Sequence, residues 1–222
     1  MRGVARRLLV VVLVAAWVGA VVYPDPRPFL NSISRLKNPP IDAEAAAGMV
    51  AILPADYKVI EDYVADYLAW APAWTVYGLP WYFPTVDEAI ADRAGDCQAE
   101  AVVTASIFKA KGMPYTLRYS FDHVWVDYPG KGVTALEDPA TSFVSDEGEG
   151  WLAGLPDKIP IWSIVEQRVA YHWTPMPALQ KFLIVAGSLV IIGYGERRFF
   201  GRVKRLAVRL VRRGAPAWER GT

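Results

Sequence analysis

Apolar residues run almost unbroken over two stretches of the chain, 8–23 and 182–195. The first, LLVVVLVAAWVGAVVY, comes after Arg2, Arg6 and Arg7 and carries Trp17 and Tyr23 near its far edge. That pattern predicts a membrane anchor over residues 1–23. Val18-Gly19-Ala20 resembles a small-residue cleavage site, so a cleaved signal peptide is the alternative, and either one exports the segment downstream of it. The second stretch extends back to Trp173 with Lys181 as its one charge, and a lysine near an end can snorkel. It predicts a second span over 173–196. Beyond it, RRFFGRVKRLAVRLVRR over 197–213 holds eight basic residues and no acid. Phe199, Phe200, Val203, Leu206, Ala207, Leu210 and Val211 recur on one face, predicting a basic amphipathic tail over 197–222 that lies on an anionic membrane.

Between the spans the periodicity changes several times. Residues 24–53, with PDPRP and NPP, read as a linker. Helical spacing returns in 54–70, where Val59, Ile60, Tyr63, Val64, Tyr67 and Leu68 form a stripe behind Pro54. The aromatic and proline-rich segment 71–84 predicts an ordered loop. Thr85-Val86-Asp87-Glu88 is a capping box that opens a short helix over 86–93. Ala94-Gly95-Asp96 breaks the chain, and a further helix runs from about Cys97 to Lys111, stopped by Gly112 and Pro114. Its expected buried face is Val102, Val103, Ser106 and Ala110, with Ile107 beside them. Then 115–120, 123–128 and 133–138 alternate and are rich in β-branched and aromatic residues, predicting three strands. The four residues 129-PGKG-132 predict a hairpin turn between the last two.

Charge changes the picture of topology. The formal net charge is +1, yet residues 24–177 hold 21 acids against 11 Lys and Arg, a balance of −10. The ends carry the compensating positive charge. Basic flanks on both spans predict both termini in the cytoplasm and a multi-pass cell-membrane protein whose middle, residues 24–176, is extracytoplasmic. Partnership with nucleic acid is disfavoured by the continuous apolar face of the tail. One cysteine rules out an internal disulfide, and one cysteine with two histidines makes a zinc site hard to assemble. No repeat or phosphate loop occurs, and no cofactor or metal is expected.

That single cysteine, Cys97, sits at a helix start. The bland reading is a small buried apolar side chain. The sharper one is a nucleophile, because free N–H groups and the helix dipole favour a thiolate there and can supply donors for an oxyanion. A symmetric hairpin about 129–132 pairs Tyr128 with Val133, Val126 with Ala135, Val124 with Glu137 and His123 with Asp138. Opposed residues share a face with Cβ atoms about 5 Å apart, so Asp138 is aimed at the imidazole of His123 unless the register slips by one. Asp127 shares the face but lies about 13 Å along the strand. His172 reads as a membrane-interface residue.

The ordered motifs RAGDCQAEA, KGMP, HVWVDY and LEDPA resemble the core of transglutaminase-like domains, over about residues 55–145. The resemblance implies an α+β, papain-like fold with helices packed on an antiparallel sheet, here over 54–172 and flanked by the two spans. It implies Cys97 as nucleophile, His123 as general acid and base, and Asp138 as the orienting acid, acting by acyl transfer or hydrolysis on amide bonds of a protein or peptide. No Gln precedes Gln98, so an oxyanion donor could instead be the indole of Trp70, Trp74 or Trp81. Calcium dependence has no support. A catalytically inactive binding or assembly module at the membrane is the competing expectation, with 70–83 and the acidic loop 145–151 as docking surfaces.

Overall fold

A computed structural model of the chain describes residues 2–120, 123–134, 137–138, 144–145 and 169–195. The architecture is mixed, helices with small sheets, and the chain forms two compact units: residues 25–176, and residues 1–24 with 177–222.

In the larger unit the chain does not run as a linker over 24–53. Arg27–Lys37 is helix α2 and Ala47–Ile52 is helix α3, after the apolar helix α1, Arg2–Val22. Helix α2 is docked by a buried hydroxyl: Ser32 Oγ donates to the Pro28 carbonyl (2.8 Å) and accepts from the Phe83 N–H (3.0 Å). Arg35 then donates to the Phe83 carbonyl (2.8 Å) and to Glu88 (3.0 Å). Ala46 and Met49 sit in the core.

Helix α4, Tyr57–Tyr67, is opened by Asp56, whose side chain accepts from the Val59 N–H, and buries Ile60 and Val64. Strand β1 (Ala69–Trp70) and the short helix α5 (Ala73–Tyr77) come next. Helix α6, Val86–Asp92, begins with the expected capping box: Thr85 Oγ1 accepts from the Glu88 N–H (3.2 Å) and Glu88 accepts from the Thr85 N–H (2.7 Å). The break at 94–96 is not a plain loop. Ala94–Gly95 forms strand β2, paired in parallel with β1 through Ala69↔Ala94 and Trp70↔Gly95.

Helix α7, Cys97–Ala110, is the centre of the unit. It packs against α3, α4 and α6 and against the sheet. Of the residues expected inside, Val102, Val103, Ser106 and Ile107 are fully buried, and burial extends further round the helix to Ala99, Ala101, Ala105 and Phe108, because it is packed on several sides. Ala110, expected inside, is exposed.

Strands β3 (Thr116–Tyr119) and β4 (Val124–Asp127) pair antiparallel, Thr116↔Asp127 to Tyr119↔Val124, and close through Ser120 N–H donating to the His123 carbonyl (2.8 Å). Of the expected third strand over 133–138, the described residues 133–134 and 137–138 are not strand. Lys131 closes the turn on the Tyr128 carbonyl (3.1 Å), and its ammonium folds back onto the Val126 carbonyl (2.9 Å). That carbonyl is thereby satisfied by a side chain, and residues 131–134 are not strand. Residues 135–136 lie outside the described residues. The other edge of β3 is taken by β5, Val144–Ser145, giving the order β4-β3-β5.

The smaller unit consists of α1 and helix α8, Ala178–Gly195, with segments Val4–Val22 and Ala178–Gly195 long and apolar enough to span a membrane (mean hydropathy 2.1 and 1.6). They run antiparallel, since Trp17 meets Gly187 while Val10 meets Gly195. The Trp17 indole donates to the Leu183 carbonyl (2.9 Å), and a side chain at Gly187 would occupy the space of that ring. The second apolar helix starts later than the expected 173. Val169–Trp173 is a π-helical turn, and Met176 is buried within the larger unit. The basic tail lies outside the described residues.

Candidate active site

Cys97 is the first residue of α7, and the residue before it builds the helix start. Asp96 has extended backbone and its carboxylate accepts from the Gln98 N–H (3.0 Å), which fixes the first turn. Gly95 is required just before it, because a Cβ there would overlap the Ala99 Cβ. Cys97, Glu100, Ala101 and Thr104 recur at one-turn spacing and line one wall of a cleft. Glu61, Val64 and Ala65 of α4 form a second wall, and His123 with Val124, Trp125 and Val126 a third. Cys97 and His123, expected to meet, line the same cleft.

His123 is held at the hairpin end by its backbone N–H, which donates to Ser120 Oγ (3.1 Å), and by stacking on Trp125 (5.9 Å between ring centres, 15° between planes). The carboxylate that meets its ring is Glu137, with Oε1 3.3 Å from Nε2. Asp138, the acid that the hairpin pairing aims there, is not among the residues lining the cleft. Residues 131–134 form no ladder with β4 that would carry the expected register, and the acid on the ring is the residue before Asp138. Glu137 also accepts from Lys131 Nζ (3.1 Å), which reaches Glu61 as well (2.6 Å). Glu61 in turn accepts from the Tyr128 hydroxyl (2.8 Å).

The cleft is therefore rich in carboxylates around one ammonium and one imidazole. Burial alone pushes the Glu137 carboxyl up, but its bonds to His123 and Lys131 outweigh that and hold it below the usual range. Glu100 is raised, chiefly by burial, with His123 pulling against the shift. Sequence reasoning missed Glu100, although the one-turn spacing from Cys97 was readable. It also missed Lys131 and Glu61, whose meeting depends on tertiary packing.

Of the three tryptophans considered as oxyanion donors, Trp81 is engaged: the Gln98 amide is satisfied when its oxygen accepts from the Trp81 indole and its nitrogen donates to the Tyr82 carbonyl, each at 2.7 Å. Trp70 is 64% exposed. Trp74 Nε1 is buried without a hydrogen-bond partner among the described residues. His172, read as an interface residue, sets Nδ1 2.7 Å from the Pro80 carbonyl. Among the described residues no group of three or more His, Cys, Asp or Glu is arranged to hold a metal ion. No protein-family model matches the chain, and neither a characterised protein nor a solved structure matches it.

Proposed function

We propose that this protein is a membrane-anchored, transglutaminase-like cysteine enzyme that acts on amide bonds of an exported protein or peptide. The observation that carries the reading is the shared cleft of Cys97 and His123, with Glu137 on the imidazole. With Nε2 facing the carboxylate, Nδ1 takes the thiol proton. The thiolate attacks the amide carbonyl carbon, and backbone N–H groups at the start of α7 stabilise the oxyanion. As the C–N bond breaks, the imidazolium returns its proton to the leaving amine or ammonia, and a thioester remains. Water or an amine then gives its proton to His123 and attacks the thioester. The C–S bond breaks and the proton returns to the thiolate. In this reading Glu137 orients the ring, in place of Asp138. The two apolar helices cross the cell membrane with both termini cytoplasmic, and the basic tail adds lipid contact.

The test is iodoacetamide alkylation of Cys97 in the full-length protein across pH, with and without His123→Ala. Reaction well below the ordinary thiol range, lost in the variant, is the expected result. A thiol that titrates near 8.5 and ignores His123→Ala sinks the reading. One observation favours a binding module instead: Lys131 draws on the same Glu137 carboxylate, and a module predicts that second outcome.

A further inference from the structure

The chain reaches the nucleophile's helix from a second direction, distant in sequence. Asp96 is 3% exposed, and its two oxygens are both used: one accepts from the Gln98 N–H (3.0 Å), the other from the Tyr171 hydroxyl (2.6 Å). Tyr171 belongs to the π-helical turn Val169–Trp173. That turn is itself fixed: the Tyr171 ring lies edge-on to Trp70 (6.2 Å) and His172 (4.9 Å), and His172 is anchored on the Pro80 carbonyl (2.7 Å). Ionisation of the Tyr171 phenol is opposed by burial, by Asp96 and, less, by a thiolate at Cys97.

We propose that Tyr171 is a positioning residue for the Cys97 nucleophile, acting through Asp96. The proposal rests on the reading of Cys97 as an activated thiol. A buried carboxylate stays ionised only while donors compensate its lost hydration. Burial pushes Asp96 up, and the bonds from Tyr171 and Gln98 pull it only part of the way back. A charged cap accepts the Gln98 N–H more strongly than a protonated one. Tyr171 therefore keeps the first turn of α7 closed, with its N–H groups aimed where the thiolate forms. Remove the hydroxyl and Asp96 takes up a proton, the cap weakens, and the thiolate loses its donors.

Ionisable groups face the thiol from several elements. Tyr171 interacts with Cys97 and Asp96, Tyr77 on α5 interacts with Asp96, and Glu61, Glu100, His123, Lys131 and Glu137 line the cleft with the thiol. The test must therefore separate Tyr171 from this background. It is a double-mutant cycle in the full-length protein in detergent: parent, Tyr171→Phe, Asp96→Asn and the double variant. Alkylation of Cys97 is monitored from pH 5 to 10, and amide exchange of the α7 first turn alongside it. Tyr171→Phe is expected to slow alkylation about fivefold at pH 7, to leave the alkaline plateau unchanged, and to speed exchange of the Gln98 amide. Asparagine caps without needing a charge. Whatever rate Asp96→Asn sets, adding Tyr171→Phe then changes it by less than about twofold. An activated parent thiol that Tyr171→Phe leaves unchanged overturns this proposal alone. An equal loss in both backgrounds also overturns it, since the ring would then act through packing. A parent thiol that titrates like free cysteine overturns the functional reading as well.

Discussion

Replacing Lys131 with methionine tests the electrostatics of the cleft. The Lys131 side chain is 8% exposed, and its ammonium contacts Glu61 (2.6 Å), Glu137 (3.1 Å) and the Val126 carbonyl (2.9 Å). Removing one partner of a buried ion pair costs about 3–5 kcal/mol, because the other charge is left uncompensated. Two features reduce that here. Glu61 and Glu137 are partly exposed and keep bonds to Tyr128 and His123, and methionine preserves the packing of the aliphatic stem. We expect Lys131→Met to destabilise the unit by about 2–3 kcal/mol, from charge-assisted bonds lost to partly hydrated acids. For a domain of this size that corresponds to a fall in melting temperature of roughly 4–12 °C, read by tryptophan fluorescence in detergent at pH 7. The pH dependence has a definite sign. Glu137 is depressed in the folded state, so its contribution is present above the ordinary carboxyl range and is lost as pH falls through the folded value. The gap between parent and variant is therefore widest near neutrality and narrows below about pH 4. Adding Glu61→Gln to Lys131→Met should recover part of the loss, since one stranded charge is gone. A shift under about 2 °C throughout pH 5–8 would refute the reasoning, because it would mean a hydrated ammonium with little net coupling.

Ser32→Ala strands the Phe83 N–H in the core and should cost about 1–3 kcal/mol by chemical denaturation. A neutral result would mean that α2 is not part of the folded unit. Gly95→Ala forces a methyl into Ala99 beside Cys97, so a loss of about 1–3 kcal/mol should come with slower alkylation of that thiol, measured on the same sample. In a Cys97→Ala background, Val10→Cys and Gly195→Cys should cross-link efficiently in membranes, and Gly187→Leu should abolish the cross-link by displacing Trp17. Persistence of the cross-link in Gly187→Leu contradicts the pairing of α1 with α8.

The parts legible in the sequence are those fixed by neighbours in the chain. Thr85 and Glu88 satisfy each other across one turn, and Asp96 caps the helix that Cys97 begins, so both starts are readable from a few residues. Helix α2 gives no such signal. Its cap position is Pro26, without a side-chain acceptor, and the residue that docks it is a serine bonded to Phe83 far along the chain. The third strand fails for a similar reason. The PGKG turn was recognisable, but the ammonium of Lys131 takes a backbone carbonyl and two distant acids, and no local pattern encodes that choice. Once the ladder is lost, so is the register. The acid on His123 becomes Glu137, one residue from Asp138.

The two-residue pair of β1 and β2 has a consequence for the width of the cleft. Ala69 donates to the Arg93 carbonyl and Ala71 to the Gly95 carbonyl, each at 2.9 Å. Strand β1 comes directly after α4, and β2 leads directly into α7, so these bonds tie the end of one cleft wall to the start of the other. The jaw between Glu61 and Cys97 is thus gauged by main-chain bonds, at a pair where Ala99 leaves no room for a side chain on Gly95. Substitutions along the walls at Ala65, Ala101 or Thr104 therefore change the lining of the gap without resetting its width.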